Sequence, residues 1–432
     1  MTNERIIAFI DYIEYMLDAA YYAREAGYKT ILLYDAKTEK DVKKELFDYT
    51  EPVANYRVET LFEQLNKHVD PKKVELVITF SEIGIIPCAA LSHKLGLKSN
   101  SMETALLTRN KYLMKQTLLQ NNVPVANGIC IETLEDCKDI RFDFPVILKP
   151  LTGSRSFGVQ LIHDEQELKS AFYRIKKSNQ FSVFSRHGTI EEKNCLLLEE
   201  YLEGPEITCD LLFINGKPYP VILCDKPYYP QGPTFEEQSY CTPSCFDDQI
   251  QSSVINTSIL AAKVLGIQHG PVHVELKITK RGPYIIEIAS RMGGCIGQLV
   301  KDSMEINYSQ TIIESYINPN QKFSFQAKYY AGYGCPHLNE EGTIIDIIGL
   351  DKLENITQLT KIKVKKRVGD VLYKFPLNLG GVITVYARGE SEKNVRDIII
   401  GAVSSVTVVL KDKNGQIKKI PLSIQWKCNE YI

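Results

Sequence analysis

The 432-residue sequence lacks features that would place it in several common classes of protein. No apolar run approaches the roughly 20 residues that a membrane-spanning helix requires, and the start, MTNERIIAFIDYIEY, carries acidic residues where a signal peptide is apolar. The net charge of -2 gives no overall attraction to nucleic acid or acidic membranes. We therefore expect a cytoplasmic protein with no nucleic-acid partner and no membrane partner.

Two common motifs are also missing. None of the eleven cysteines forms a CxxC pair, and the closest two, Cys241 and Cys245, lie in a predicted loop. This scatter favours reduced core thiols over a disulfide framework or a zinc site. The first strand-to-helix turn, FIDYIEY, lacks the GxGxxG fingerprint, which argues against dinucleotide binding there.

Hydrophobic patterns alternate between strand and helix over the first hundred residues. The predicted strands are RIIAFID, KTILLYD and VELVITF, and the predicted helices are EYMLDAAYYAREAG and IGIIPCAALSHKLGL. This order predicts a parallel sheet. From about residue 104 we predict a helix that ends before Pro124, and later a second helix around Asp164 to Lys177. A partly disordered polar segment at residues 176–194 follows, and after it strands dominate.

The chain is thus predicted to be α/β, with an α+β C-terminal part. We divide it into three domains, residues 1–105, 106–200 and 201–432.

A lysine ends the apolar run FPVILKP, and a loop of small and polar residues follows it. The runs on either side have strand character, so they predict a hairpin. The loop, Thr152 to Gly158, is longer than a tight turn needs, and Gly153 and Gly158 would let several backbone NH groups point at one anion. The alternative is an ordinary mobile hairpin loop with a solvated Lys149.

The most specific signal is HVELKITKRGPYIIEIASR. We predict a three-residue hairpin loop, residues 280–282, with Gly282 in the left-handed conformation. That loop would place Glu275 directly opposite Glu287, which costs stability unless a positive group lies between them. Oxygen-only ligation favours Mg²⁺, which also binds substrate phosphates. The alternative is two separate solvent-facing glutamates in another register.

A third element is CLLLEEYLEGPEITCD, in which an apolar strand ends at Glu199 and Glu200. Exposed backbone at such a strand end can hydrogen-bond a flat heterocycle, and Glu206 can accept hydrogen bonds from sugar hydroxyls. A charged hairpin corner would have a similar sequence. His273 shares a strand face with Glu275, and an orienting or packing role is favoured over metal ligation.

In this order the elements resemble the ATP-grasp superfamily over nearly the whole chain. RNK, FPVILKP and GSRSFGV look like its two phosphate-binding lysines and its flexible glycine loop, and EEYLEGPE like its adenine and ribose segment. The resemblance implies that ATP and Mg²⁺, or Mn²⁺ in its place, are bound. The implied ATP-binding residues are Lys111, Lys149, Gly153, Ser154, Ser156, Phe157, Gly158, Glu199, Glu200, Tyr201, Leu202 and Glu206, and the implied metal ligands are Glu275 and Glu287.

Within that superfamily the sequence most resembles L-amino acid ligases of the bacilysin-synthetase type and carnosine synthases, through SEIGIIPCAALSHKLGLKSNSMETALLTRNKYLMKQTL and EIASRMGG. The resemblance implies a carboxylate-amine ligase that works through an acyl phosphate, with Lys149 and Arg291 as catalytic residues. One departure is Ala289, where many ATP-grasp enzymes have asparagine. A second departure lies in the loop GPTFEEQSYCTPS, where Glu237 and Tyr240 align with a Glu-x-x-His motif of the ligases, so that tyrosine stands in place of the histidine. The implied substrate residues are Glu237, Tyr240, Arg291, Gly293 and Gly294.

The implied partners are small molecules, an amino acid or other carboxylate and an amine, and a homodimer is compatible with the sequence. Another ATP-grasp enzyme, of the biotin-carboxylase or purine-pathway type, would share the ATP site and differ in its acceptor. A non-catalytic nucleotide-binding module could lose Glu275, Glu287 or Arg291, so the presence of all three argues against it. For Glu237 the alternative to a substrate role is an ordinary solvated glutamate in a loop.

Overall fold

The computed structural model describes residues 4–139, 143–154, 156–179, 195–226, 235–374 and 381–426. The α-helices in these ranges are α1 Leu17–Glu25, α2 Val58–His68, α3 Ile85–Lys94, α4 Met102–Leu107, α5 Lys111–Gln120, α6 Glu165–Asn179, α7 Asp248–Val264, α8 Ile296–Met304, α9 Tyr308–Ile317, α10 Leu350–Leu353 and α11 Glu392–Ser404. Short 3-10 helices cover Glu14–Met16, Ala36–Asp41, Lys44–Leu46, Pro71–Lys73 and Leu134–Asp139.

The strands in the same ranges are β1 Ile6–Ile10, β2 Lys29–Asp35, β3 Tyr49–Val53, β4 Val74–Ile78, β5 Gly128–Ile131, β6 Val146–Pro150, β7 Gln160–Ile162, β8 Leu196–Glu200, β9 Glu206–Ile214, β10 Lys217–Lys226, β11 Ser239–Thr242, β12 Gly270–Thr279, β13 Gly282–Ala289, β14 Tyr330–Gly334, β15 Gly342–Ile348, β16 Leu359–Val364, β17 Val371–Leu372, β18 Ile383–Gly389, β19 Thr407–Lys411 and β20 Ile417–Pro421. Of the polar segment predicted to be partly disordered, residues 176–179 belong to α6 and residues 180–194 lie outside the described ranges.

The first sheet has the order β3-β2-β1-β4 and is parallel throughout, which confirms the prediction for the N-terminal part. Its central strand β1 is buried along its whole length, as expected when helices cover both faces. The sequence analysis missed β3 and α2. The β3 sequence YTEPV is short and polar and contains a proline, which suits the sheet edge where it lies.

The second sheet has the antiparallel order β5-β8-β6-β7, and α6 packs against it. It contains the predicted hairpin, since β6 pairs with β7 around the glycine loop. The helix predicted after residue 104 is in fact two helices, α4 and α5, with a break at residues 108–110. Asn110 makes the break, because its side chain accepts hydrogen bonds from the backbone N of Tyr112 and of Leu113 and so caps α5.

The largest sheet has eight strands in the order β13-β12-β9-β10-β11-β14-β18-β16. Helices α8 and α9 help to build the core on one side of it, and α7 packs on the other. A fourth sheet, β17-β15-β19-β20, shares a core with α11. Each sheet falls within one of the three predicted segments, while the domain boundaries themselves stay a prediction.

The β12–β13 hairpin corrects the predicted turn. Thr279 pairs with Gly282, so the turn has two residues rather than three, although Gly282 does have a positive φ of +107°. A register shift then leaves Ile286 unpaired, and beyond it Glu275 pairs with Glu287 as predicted. The predicted three-residue loop was therefore wrong. The predicted facing of Glu275 and Glu287 is confirmed, because the extra residue of the β-bulge compensates for the turn being one residue shorter than predicted.

The described cysteines, ten of the eleven in the sequence, are all free thiols, as the sequence analysis favoured. Within the described ranges no helix combines the length and apolarity needed to cross a membrane.

Candidate active site

At one end of the site the carboxylate of Glu199 lies between two buried lysines. We call this the lysine-rich end; it consists of Lys111, Lys115, Lys149, Glu199 and Glu287. Lys149 Nζ lies 2.5 Å from Glu199 Oε1, and Lys115 Nζ lies 2.8 Å from Glu199 Oε2. Burial lowers the pKa of Lys115 to about 8, and the charge on Lys149 acts in the same direction. Positive charge is therefore crowded here, and an entering anion would relieve the crowding.

The N-terminus of α5 supplies Lys111. Its Nζ lies 2.8 Å from Glu287 Oε1 and donates to the carbonyl oxygen of Gly153 at 3.1 Å. Lys111 thus touches both the β12–β13 hairpin and the glycine loop. Lys115 lies four residues later and so on the same helix face. The sequence analysis missed Lys115, although this spacing was a usable signal.

The glycine loop between β6 and β7 has the backbone freedom that its sequence predicts. Gly153 and Gly158 have φ of +149° and +74°, and Ser156 also has a positive φ, +54°. Phe157 N donates to Ser154 O at 3.3 Å, which closes a turn inside the loop. Contacts between this loop and phosphate stay a prediction.

The end of β8 carries several of the residues implied to bind ATP. The carboxylate of Glu199 faces Lys115 and Lys149, and its binding to ATP stays a prediction. The Glu200 side chain lies 3.5 Å from Arg281 and accepts from Asn127 Nδ2 at 3.4 Å. Two further predicted residues, Tyr201 and Leu202, follow the strand, with Leu202 buried.

The other end of the site, the carboxylate-rich end, consists of Glu206, Glu237 and Glu275 around Lys226. Lys226 Nζ lies 3.0 Å from Glu237 Oε1 and 3.0 Å from Glu275 Oε2, and it also contacts Glu206. Burial disfavours the charge, yet the three carboxylates raise the pKa of Lys226 well above its ordinary value. Lys226, the last residue of β10, was missed.

The predicted metal ligands Glu275 and Glu287 do face each other, and each of them pairs with a lysine. Glu275 pairs with Lys226 and Glu287 with Lys111. No group of three His, Cys, Asp or Glu residues that could hold a metal ion occurs in the part of the chain that the structure describes. Two carboxylates fit Mg²⁺ when substrate phosphates and water complete its shell, so the site fits the ion together with a phosphate-bearing ligand.

His273 lies beside Glu275 and is buried. Its Nδ1 is 3.0 Å from Asp210 Oδ2, and its Nε2 is 3.6 Å from Glu275 Oε1. Burial opposes the charge, but Asp210 and Glu275 raise the pKa of His273 to about 10. A Cβ on Gly293 would lie 2.6 Å from His273 Nδ1, so this glycine is required for close packing. The geometry agrees with the predicted orienting role of His273.

Arg291 joins the end of β13 to the first sheet. Its Nε lies 2.5 Å from Glu82 Oε2, and Arg109 lies 3.7 Å from the other oxygen of the same carboxylate. Glu82 follows β4 at the carboxyl end of the parallel sheet, where ligands commonly bind, and that position was a usable signal that the sequence analysis missed. A Cβ on Gly294 would lie 3.8 Å from the Tyr15 ring, so Gly294 also adjoins the N-terminal segment.

Tyr240 borders the carboxylate-rich end. It lies in β11 and is buried, with its ring centroid 5.4 Å from Lys226 Nζ and 5.7 Å from that of Tyr333. Tyr333 in turn packs 5.2 Å from Tyr386, measured between ring centroids. A row of aromatic rings therefore continues across the sheet from Lys226.

Comparison with known sequences supports the resemblance. Residues 142–299 match the family model described as ATP-grasp domain. The L-arginine-specific L-amino acid ligase of Bacillus subtilis is 24% identical over 335 residues, which is 75% of this chain and 77% of that protein. The alanine--anticapsin ligase of B. subtilis strain 168 is 27% identical over 279 residues, 59% of this chain, and the match spans only 58% of that relative.

Comparison with solved structures supports the same fold. The L-amino acid ligase from Bacillus licheniformis superimposes with a TM-score of 0.83 and 21% identity over 95% of this chain and 100% of that chain. The biotin carboxylase domain of the Hydrogenobacter thermophilus 2-oxoglutarate carboxylase gives a TM-score of 0.70 at 15% identity over 96% and 91%. The chain therefore contains an ATP-grasp domain, has the ATP-grasp fold, and counts amino acid ligases among its relatives.

Proposed function

We propose that this protein is a cytoplasmic ATP-dependent carboxylate-amine ligase that joins amino acids into a dipeptide or a related amide. The main observation behind this proposal is that Lys111 and Lys149 lie near the facing carboxylates Glu275 and Glu287. Arg291 is also near enough to Glu287 for their charges to interact. The site therefore combines cations that could bind the phosphates of ATP with carboxylates that could bind the accompanying metal ion. The relatives named as ligases agree with this assignment.

The reaction has two steps. The substrate carboxylate attacks the γ-phosphorus of ATP, ADP leaves, and an acyl phosphate forms. The amine then attacks the acyl carbon, phosphate leaves, and the amide bond forms. Lys111, Lys149 and Arg291 would neutralise charge on the transferring phosphoryl group, where positioning and electrostatics supply most of the catalysis.

Water must be kept from the acyl phosphate, because hydrolysis would waste the ATP. The glycine loop adjoins Lys111 through the carbonyl of Gly153 and is placed to close over the phosphates. Glu275 and Glu287 would hold Mg²⁺, or Mn²⁺, which when bound supplies further positive charge to the phosphate oxygens.

For the amino-acid substrates we propose candidate binding residues but no substrate identity. Glu237 is a candidate for holding the ammonium group of an amino acid, and Tyr240 beside it would shape the pocket. Relatives whose names specify arginine and alanine with anticapsin differ in substrate, so neither substrate is transferred to this chain. Arg291 with Glu82, and the close approach at Gly293 and Gly294, would form the opposite wall.

A matrix of amino-acid pairs tests the proposal. With ATP and Mg²⁺, at least one pair should release ADP and phosphate in equal amounts and yield an amide detectable by mass spectrometry. The Glu287→Gln variant, purified in parallel, controls for contaminating ATPases. Production of AMP and pyrophosphate would contradict the acyl-phosphate route, and ATP use with bicarbonate in place of amino acids would favour a carboxylase-like enzyme.

A further inference from the structure

Lys226 lies where three carboxylates with different proposed tasks meet. Glu206 is proposed for a sugar hydroxyl, Glu237 for a substrate ammonium and Glu275 for the metal. The Lys226 side chain is only 7% exposed and its single ammonium contacts all three. One buried ammonium therefore neutralises part of the charge on all three carboxylates that are proposed to bind ligands of the reaction.

The sheet fixes this position. Lys226 is the last residue of β10 and pairs with Glu206 in β9, and β9 pairs on its other side with β12, which carries Glu275. The ring of Tyr240 in β11 lies on the remaining side, 5.4 Å from the ammonium to the ring centroid. Because neighbouring strands supply the contacts on each side, the ammonium is confined among the carboxylates.

The charge balance shows what the lysine prevents. Lys277 contacts Glu206 and His273 contacts Glu275, each at 3.6 Å. Only Lys226, however, touches all three carboxylates, so its loss takes one positive charge from each of them. Carboxylate oxygens gathered without a counter-charge are the ligand type that Mg²⁺ and Mn²⁺ prefer. The second proposed metal ligand, Glu287, is likewise paired with a lysine, Lys111, at 2.8 Å.

We propose that Lys226 is a positioning residue that keeps free divalent cations out of the carboxylate-rich end until a nucleotide supplies phosphate oxygens. In the nucleotide-free protein the ammonium of Lys226 contacts Glu275 in place of a metal ion. The metal ion enters only when the nucleotide binds. This inference rests on the metal site of the proposed function and adds to it an order of binding.

Manganese is the probe, because electron paramagnetic resonance measures free Mn²⁺ directly. The full-length protein is titrated with Mn²⁺ in the absence of nucleotide. Lys226→Met should bind Mn²⁺ at least about tenfold more tightly than the wild type, since a positive charge within contact distance of the carboxylates is lost. Lys226→Arg keeps the charge and should bind as weakly as the wild type.

Lys277→Met is the matched control. Lys277 is equally buried, with 6% of its side chain exposed, and it also contacts Glu206, at 3.6 Å. Its loss removes one positive charge from the same sheet, so a general charge effect would tighten Mn²⁺ binding in this variant as well. We expect Lys277→Met to bind Mn²⁺ like the wild type.

Equal Mn²⁺ affinity of Lys226→Met and the wild type would overturn the inference, and so would equal tightening in Lys277→Met. Should Lys226→Met fail to fold, Lys226→Met/Glu237→Gln restores the wild-type charge and keeps Glu206 and Glu275. This double variant lacks the ammonium beside Glu275 and should bind Mn²⁺ more tightly than the wild type; weak binding by it, or tight binding by the nucleotide-free wild type, would also overturn the inference. The titration uses no nucleotide and no turnover, so it remains decisive even if no amino-acid pair yields ADP.

Discussion

The two ends of the candidate site have opposite arrangements of charge. At the lysine-rich end one carboxylate, Glu199, lies between two lysines, whereas at the carboxylate-rich end one lysine, Lys226, lies among three carboxylates. Burial lowers the pKa of Lys115 to about 8 at the first end. At the second, burial is outweighed, and the carboxylates raise the pKa of Lys226 well above its ordinary value.

This difference indicates which ligand each end can accept. Surplus positive charge favours phosphates, and surplus negative charge favours ammonium groups and metal ions. The β12–β13 hairpin joins the ends, since Glu287 pairs with Lys111 of the first and Glu275 with Lys226 of the second.

The largest effect is expected from Glu287→Gln, which removes the contact between the ends. Turnover should fall at least about a hundredfold, because metal stabilisation of transition-state charge is worth several kcal/mol. The free energy of unfolding without ligands should fall by about 1–3 kcal/mol, since Lys111 loses its carboxylate partner. Initial rates and urea unfolding measure the two effects, and normal turnover at limiting Mg²⁺ would refute the metal assignment.

A second prediction separates the two lysines of the lysine-rich end. Lys149→Met should lower turnover roughly thirtyfold, because a cation for the phosphoryl group is lost while Glu199 keeps Lys115. Lys115→Met should lower turnover by less than about threefold, since Lys149 remains. Steady-state rates at saturating ATP decide the point. Equal losses in both variants would show that the two lysines act as one unit.

The third prediction concerns pH. The pKa of Lys115 is about 8 in the folded protein, below its ordinary value, so the unfolded chain binds more protons between these values and stability rises with pH there. From pH 8 to pH 10 the free energy of unfolding of the wild type should therefore rise by about 1–2 kcal/mol relative to Lys115→Met. Urea unfolding at each pH measures this difference.

The opposite end supplies the control for that experiment. Lys226 has a raised pKa and stays charged in the folded state, and in the unfolded state it only begins to lose its proton near pH 10, so the difference between the wild type and Lys226→Met should stay nearly flat or fall slightly. A matching rise in this second comparison would mean that the pH effect does not come from Lys115.

The smallest effect is expected from Tyr240→His. Tyr240 borders Lys226 at the carboxylate-rich end, so the change should redistribute activity among amino acids. ATP affinity should stay within roughly a factor of three, under 1 kcal/mol. Specificity profiles and nucleotide titration give the two results. Lost ATP affinity with an unchanged amino-acid profile would show that Tyr240 contributes to nucleotide binding instead.

The fold was predictable where burial is continuous. KTILLYD coincides with β2 because both faces of that strand are covered, and its apolar run has no competing pattern. The break before α5 was missed because Asn110 makes it through side-chain hydrogen bonds, without a glycine or proline to mark it. The edge strand β3 was missed for a related reason, since its polar residues and its proline obscure the strand pattern.

The site was predictable where a residue's partner is near in sequence. Glu275 and Glu287 belong to one hairpin, and their facing followed from the chain alone even though the turn was wrong. Lys226 and Glu275 are separated by 49 residues and Arg291 and Glu82 by 209, and these meet only because of the strand order. No local pattern fixes that order, so Lys226 and Glu82 could not be paired with their partners in advance.

The bulge at Ile286 also divides the hairpin into a fixed base and an interchangeable tip. Adding one residue to each strand between the bulge and the turn would lengthen the tip while Glu275 stays opposite Glu287. Deleting Ile286 alone would place Glu287 directly after Ile285 and so leave it opposite Glu275 in a regular ladder without the bulge. The tip could therefore carry a spectroscopic label or a short inserted peptide while the carboxylate pair keeps its register.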